Sequence, residues 1–167
     1  MNLLPRLDPH IDLREPSLPE HARQIRRAAG LLCARLAWAA VHEMPLPNGR
    51  RADLLALQPG GGFVCIEVKS GPRDFLTDTK WQEYRGFSDM LYFAVDASFP
   101  LDLMPEDVGL IVTAGMEADI LREAPSNPMA AGRRRALLHR FAALAANRLA
   151  LLQDPAVAGL RAALRVE

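Results

Sequence analysis

Glu67 and Lys69 stand two residues apart in the string Phe63-Val64-Cys65-Ile66-Glu67-Val68-Lys69, and Asp53 lies upstream with thirteen residues between it and Glu67. In an extended chain alternate side chains share a face at about 3.3 Å per residue, which puts Glu67 and Lys69 on one side about 7 Å apart. Cys65 shares that side, while Val64, Ile66 and Val68 take the other and can enter a core. A hairpin can bring Asp53 alongside Glu67, with Glu43 one strand earlier again. Three carboxylates and one ammonium then converge on one face. Gathering carboxylates away from water is unfavourable unless a cation offsets them. A hard divalent cation, Mg²⁺ or Mn²⁺, would do so with Glu43, Asp53 and Glu67 as candidate ligands. Such a cation polarises a phosphodiester and lowers the pKa of a water, and Lys69 would orient that water or stabilise developing charge. Asp53, Glu67 and Lys69 are thus candidate catalytic residues for phosphodiester hydrolysis. The plain alternative is a solvated Glu–Lys pair at a sheet edge, worth little energetically.

The basic side chains sharpen the choice. Of 20 Lys and Arg residues, 18 are Arg, and the two lysines are Lys69 and Lys80. Arg is a permanently charged planar fork, whereas Lys is a compact charge with a tunable pKa. A chain that otherwise uses Arg keeps Lys where the compact charge is needed. Formal net charge is zero, yet residues 120–167 hold eight Arg against three acids, a balance of +5 that leaves −5 for residues 1–119. A basic C-terminal segment beside an acidic centre suits a phosphate backbone meeting a metal site. Arg133-Arg134-Arg135 is the densest part of that segment, and a solvated helix face is its bland reading.

Hydrophobic residues make up half of the 167, enough for one domain with a real core. Cys33 and Cys65 sit among apolar neighbours and read as buried free thiols, in keeping with a reducing cytoplasm. The first residues, interrupted by Pro5, Asp8, His10 and Asp12, do not read as a signal peptide, and no apolar run is long enough to span a bilayer. A cytoplasmic location without membrane attachment is the expectation.

The elements that must position the site follow from periodicity. Ser17-Leu18-Pro19-Glu20 reads as a capping box. Ile25, Ala28, Ala29, Leu32, Cys33 and Leu36 then predict a helix over 18–39, with Arg23, Arg26, Arg27 and Arg35 on its opposite face. Val41–Leu46, Arg51–Leu57 and Phe63–Ser70 read as three antiparallel strands, joined through the Asn48-Gly49 turn and Gly60-Gly61-Gly62. Residues 73–87 read as an irregular turn followed by a helix. Met90–Val95, Asp107–Thr113 and Ala118–Leu121 read as further strands. Residues 129–152 form a closing helix with Leu138, Phe141, Ala145, Leu149 and Leu152 as its apolar set.

Asp53, then Glu67-Val68-Lys69, between a preceding and a following helix, resembles the PD-(D/E)xK nuclease superfamily. That resemblance implies an α/β, restriction-endonuclease-like core: a mixed central β-sheet flanked by helices in α-β-β-β-α-β order. It implies Asp53 and Glu67 as metal ligands, the Val68 carbonyl as a further ligand, and Lys69 as the residue serving the nucleophile. Ala52 stands where the pattern has Pro, a minor departure. A closer resemblance, to the MmcB-like DNA-repair family, rests on several segments. These are Asn48-Gly49-Arg50-Arg51-Ala52-Asp53-Leu54, Ile66-Glu67-Val68-Lys69-Ser70, Lys80-Trp81, Tyr84-Arg85, Gly109-Leu110-Ile111-Val112 and Ile120-Leu121-Arg122-Glu123-Ala124-Pro125. Lys80-x-x-x-Tyr84 is similar to the Gln-x-x-x-Tyr of RecB-like nucleases, which adds Lys80 as a catalytic or phosphate-contacting candidate. Arg51, Lys80, Tyr84, Arg133, Arg134 and Arg135 are then the candidate nucleic-acid contacts. Trp81 reads as a core anchor before a base-stacking platform, and Asp74 and Asp78 as turn or cap residues.

The resemblance implies a metal-dependent DNA nuclease acting in repair, with DNA as partner, room for a repair-protein partner, and a homodimer where both strands must be reached. The alternative is a non-catalytic or partner-dependent DNA-binding module on the same fold. The expected segmentation is a loose arm over 1–16, a single nuclease-like domain over 17–155 and a C-terminal tail over 156–167.

Overall fold

Six strands form one sheet whose spatial order follows the chain: β1 (Ala39–Pro45), β2 (Arg51–Leu57), β3 (Phe63–Val68), β4 (Met90–Asp96), β5 (Gly109–Ala114) and β6 (Glu117–Arg122). The computed structural model that shows this describes residues 19–163. The β1–β2 and β2–β3 pairs are antiparallel, the β3–β4 and β4–β5 pairs parallel, and β6 returns antiparallel to β5. The order is the expected α-β-β-β-α-β, with α1 (Glu20–Arg35) before β1 and α2 (Pro72–Thr77) between β3 and β4. A 3-10 segment, Trp81–Phe87, follows α2, and α3 (Ala131–Gln153) and α4 (Ala156–Ala163) close the chain.

The sheet is covered on both faces. Ile25, Ala28, Ala29, Leu32 and Cys33 of α1 pack on Leu54, Val64, Ile66, Tyr92 and Ile111. The other face carries Leu137, Phe141 and Leu144 of α3, Phe75 of α2, and Trp81, on Leu55, Phe63, Cys65, Leu91 and Phe93. Central β3 is therefore buried at all six positions, as expected of a strand in a parallel pair with helices on both sides. Both cysteines are free and buried. Trp81 is a core residue whose ring meets Phe93 edge-on at 5.4 Å.

Several elements differ from the sequence expectation. The first helix ends at Arg35, in a Schellman arrangement: Trp38 N–H reaches Cys33 O and Ala37 N–H reaches Ala34 O. Ala37 holds a φ of 56° at the position where glycine is customary, so the sequence carries no stop signal. Pro72 opens α2 directly after β3, so the helical turn precedes the irregular stretch instead of following it. In α3 the buried face is Leu137, Phe141 and Leu144, while Leu138, Leu149 and Leu152 are exposed. Alanine and leucine run nearly all round this helix, so its periodicity does not fix the phase. Arg26, expected on the outer face of α1, is buried. Ala156–Ala163, within the stretch read as a tail, is helical. The arm over 1–16 and Ser17-Leu18 of the capping box lie outside the described residues.

Candidate active site

β2 and β3 bring Asp53 and Glu67 together by interrupting their own ladder. The last paired rung is Leu54 with Ile66. Beyond it the carboxylates take over: Asp53 N–H donates to Glu67 Oε1 at 3.2 Å, and Val68 N–H donates to Asp53 Oδ2 at 2.7 Å. Cys65 Sγ lies 3.8 Å from Glu67 Oε1, which confirms that Cys65 and Glu67 share a face. Lys69 continues that face. Its Nζ pairs with Asp78 Oδ2 at 2.6 Å and stands 5.9 Å from the Phe93 ring centroid.

Glu67 is buried and Asp53 half-buried, and both are largely desolvated by the protein around them. Desolvation, opposed by the Val68 N–H and reinforced by the Glu43 charge, pushes Asp53 up to about 6. Desolvation first, and then the Asp53 charge, raise Glu67 well above the usual carboxylate range. Among the described residues neither carboxylate has a salt-bridge partner; the Lys69 ammonium is bonded to Asp78 instead. Two adjacent, desolvated, unneutralised carboxylates are a donor set that suits a hard cation. No group of three or more His, Cys, Asp or Glu among the described residues could hold a metal by side chains alone. A cation at Asp53 and Glu67 would therefore complete its shell from backbone oxygen, water and phosphate.

An open cleft of about 570 Å³ exposes this pair. Arg51, Asp53, Glu67, Val68, Lys69, Asp78 and Tyr84 line it, with Pro19 and Ala22 at the start of α1 and Ser70, Asp74 and Thr77 around α2. It opens at the carboxyl end of β3, the usual place for a site in an α/β sheet. Tyr84 is buried, and its hydroxyl donates to the Arg51 carbonyl at 3.2 Å. Its phenol is raised by burial and then by the Glu67 charge, so Tyr84 forms a cleft wall.

Glu43 lies across from Asp53, between the His42–Leu54 and Met44–Ala52 rungs, and carries partners of its own. Val41 and Met44, an odd number apart, enter the same core cluster, so strand alternation breaks between them, and Glu43 itself has a φ of 50°. Its Oε1 accepts from Arg26 at 2.8 Å and its Oε2 pairs with Arg51 at 2.5 Å. Both of its oxygens are thus already engaged by guanidinium groups. Lys80 is exposed and lies outside the cleft lining. Its backbone N–H donates to Asp78 Oδ1 at 3.0 Å.

The Arg triplet lies at the other end of the sheet. Arg134 grips buried Asp89 with two bonds of 2.6 Å, and Asp89 also accepts the Phe63 and Met129 N–H groups. Phe63 opens β3, so at strand rise it is about 20 Å from Lys69. Arg133 donates to Gly86 O and covers the Phe87 ring at 5.4 Å, while Arg135 is exposed. Asp74 accepts from Ser70 N–H and Oγ, the turn role expected of it. The sequence reading missed Asp78 as the partner of Lys69, and Arg26 as the partner of Glu43. Arg26 was detectable, since Ala22, Arg26, Ala29 and Cys33 form one helical stripe. Asp78 was not, because only the α2 turn brings it back to β3.

The family model described as "DNA repair protein MmcB-like" matches residues 8–156. The chain belongs to the MmcB-like family. This MmcB-like chain is also similar to a solved structure, the SPO1766 protein of unknown function from Silicibacter pomeroyi. The two share 36% identity with a TM-score of 0.77, over 82% of this chain and 94% of that one. No curated protein matches the chain. Among the described residues of this MmcB-like protein, no helix is long and apolar enough to cross a membrane.

Proposed function

We propose that this MmcB-like protein is a divalent-metal-dependent DNA nuclease of the PD-(D/E)xK type, hydrolysing phosphodiesters during DNA repair. The observation that carries the reading is the Asp53–Glu67 pair, Glu67 buried and Asp53 half-buried, left without a salt-bridge partner among the described residues in an open cleft. Asp53 and Glu67, with the carbonyl of Val68, would hold Mg²⁺ or Mn²⁺. The chemistry supplied on binding is polarisation of the phosphodiester and acidification of a water. The protein does the rest by position. Val68 N–H and Asp53 N–H each fix one carboxylate oxygen of the pair, and both residues line the cleft. The Lys69 ammonium, in the same lining, orients the attacking water or meets charge developing on the phosphate. Arg51, half exposed at the rim, is the guanidinium best placed for the backbone of an incoming strand. Lys80 and Arg135 are exposed and free to extend that contact. The polar, desolvated floor argues against a surface Glu–Lys pair, because Glu67 and Lys69 are both buried.

The test is cleavage of single-stranded, duplex, flapped and branched DNA with Mg²⁺, Mn²⁺ or chelator, comparing the wild type with Glu67→Ala. Metal-dependent cutting lost in the variant is expected. Undiminished cutting by Glu67→Ala, or by the wild type in chelator, would overturn the reading.

A further inference from the structure

The Lys69 ammonium forms its ion pair with Asp78 and not with the two carboxylates whose strand face it shares. Its Nζ meets Asp78 Oδ2 at 2.6 Å, and the lysine side chain is almost wholly withdrawn from water. Asp53 and Glu67 form no salt bridge among the described residues. An ammonium on the same face as two desolvated carboxylates should be drawn to them. A third carboxylate therefore outcompetes the pair, and its placement is well determined. Asp78 caps the end of α2, and its second oxygen accepts the Lys80 N–H at 3.0 Å. α2 is in turn pinned to β4 by Phe75, edge-on to Phe93 at 5.4 Å. Phe93 also lies beneath the Lys69 ammonium.

We propose that Asp78 is a positioning residue: it holds the Lys69 ammonium off the Asp53–Glu67 pair, keeping both carboxylates open to a divalent cation and the ammonium at the cleft wall. This rests on the metal-dependent reading above. Without the Asp78 charge, the anions nearest to Lys69 along its strand face are Asp53 and Glu67. The ammonium then swings onto them and competes with the metal for the same oxygens. Asp78 would thus favour metal binding without touching the metal, acting only through Lys69.

The experiment is Mn²⁺ binding by calorimetry to the full chain without DNA, in the wild type, Asp78→Asn, Asp78→Glu, Lys69→Met and the Asp78→Asn/Lys69→Met double variant. Asparagine keeps the acceptor for Lys80 N–H, so the local turn is retained. Asp78→Asn should weaken Mn²⁺ binding by about tenfold, Asp78→Glu should recover most of it, and the double variant should bind like Lys69→Met alone. Equal weakening in the Lys69→Met background would mean that Asp78 acts on the metal directly, and would overturn the proposal. Unchanged binding in Asp78→Asn would also overturn it while leaving the metal reading intact. A wild type that binds no Mn²⁺ would sink the metal reading itself, and this inference with it. The chain has only two lysines, so ¹⁵N-lysine NMR gives one further readout. The Lys69 ammonium signal should move in Asp78→Asn while that of Lys80 stays, and an unmoved Lys69 signal would refute the ion pair's role.

Discussion

Removing the charge of Asp53 should stabilise the metal-free protein. Burial lifts its carboxyl from the ordinary 3.8 to about 6, so the native state holds this proton more tightly than the unfolded chain does. The stabilisation from that proton is complete below about pH 3.8 and is lost as pH rises through about 6. The difference corresponds to about 3 kcal/mol at neutral pH. Glu67 is shifted in the same direction and steepens the fall. Asp53→Asn keeps an oxygen for the Val68 N–H and discards the charge. At pH 7.5 in chelator the variant should therefore be more stable by up to about 3 kcal/mol, or about 6–12 °C in Tm at this chain length. At pH 4 the two proteins should agree to within about 0.5 kcal/mol, the usual reach of a neutral substitution. Denaturant melts from pH 4 to 8 measure this directly. Added Mn²⁺ should then raise the wild type and leave Asp53→Asn nearly unmoved. A variant less stable than the wild type at pH 7.5, or an equal offset at every pH, would refute the claim that the site stores unneutralised charge.

Other outcomes follow from particular contacts. Gly109 pairs with Tyr92 across β4 and β5, and a Cβ there would fall 2.3 Å from the tyrosine ring; Gly109→Ala should cost about 1–3 kcal/mol by overpacking, read as a lower denaturation midpoint. Arg134→Ala removes the bidentate partner of Asp89. It should cost about 1–3 kcal/mol of stability and leave the salt dependence of DNA binding unchanged, whereas a reduced salt slope would restore Arg134 as a phosphate contact. Arg51→Ala should lower the salt slope of DNA binding by about one, measured by titrating salt against a labelled strand.

The strands were legible because their chemistry is local. β2 was expected at Arg51–Leu57 and lies there, bounded by Asn48-Gly49 and the triple glycine. The pairing of Asp53 with Glu67 followed from the same hairpin arithmetic, since strands joined by a five-residue turn place residues 53 and 67 side by side next to the Leu54–Ile66 rung. Three other features needed three dimensions. The end of α1 was hidden because Ala37 does glycine's work in the left-handed region. Glu43 does lie across from Asp53, between the His42–Leu54 and Met44–Ala52 rungs, but a positive φ and two guanidinium partners, Arg26 and Arg51, come with it. Arg134 looked like a phosphate contact from its neighbours in sequence, but a buried aspartate 45 residues upstream claims its guanidinium. In each case a long-range partner or an unusual backbone angle decided the outcome, and neither leaves a periodic trace.

The most direct measurement is DNA cleavage by Lys69→Ala set beside its Mn²⁺ affinity. Lys69 is buried against Asp78 in the cleft lining and is not counted among the metal's ligands. Loss of metal-dependent cutting, with Mn²⁺ binding and the folded state retained, is the expected result. Full cutting by Lys69→Ala would contradict the account, because the residue that distinguishes this cleft from a simple acidic pocket would then have no part in the chemistry.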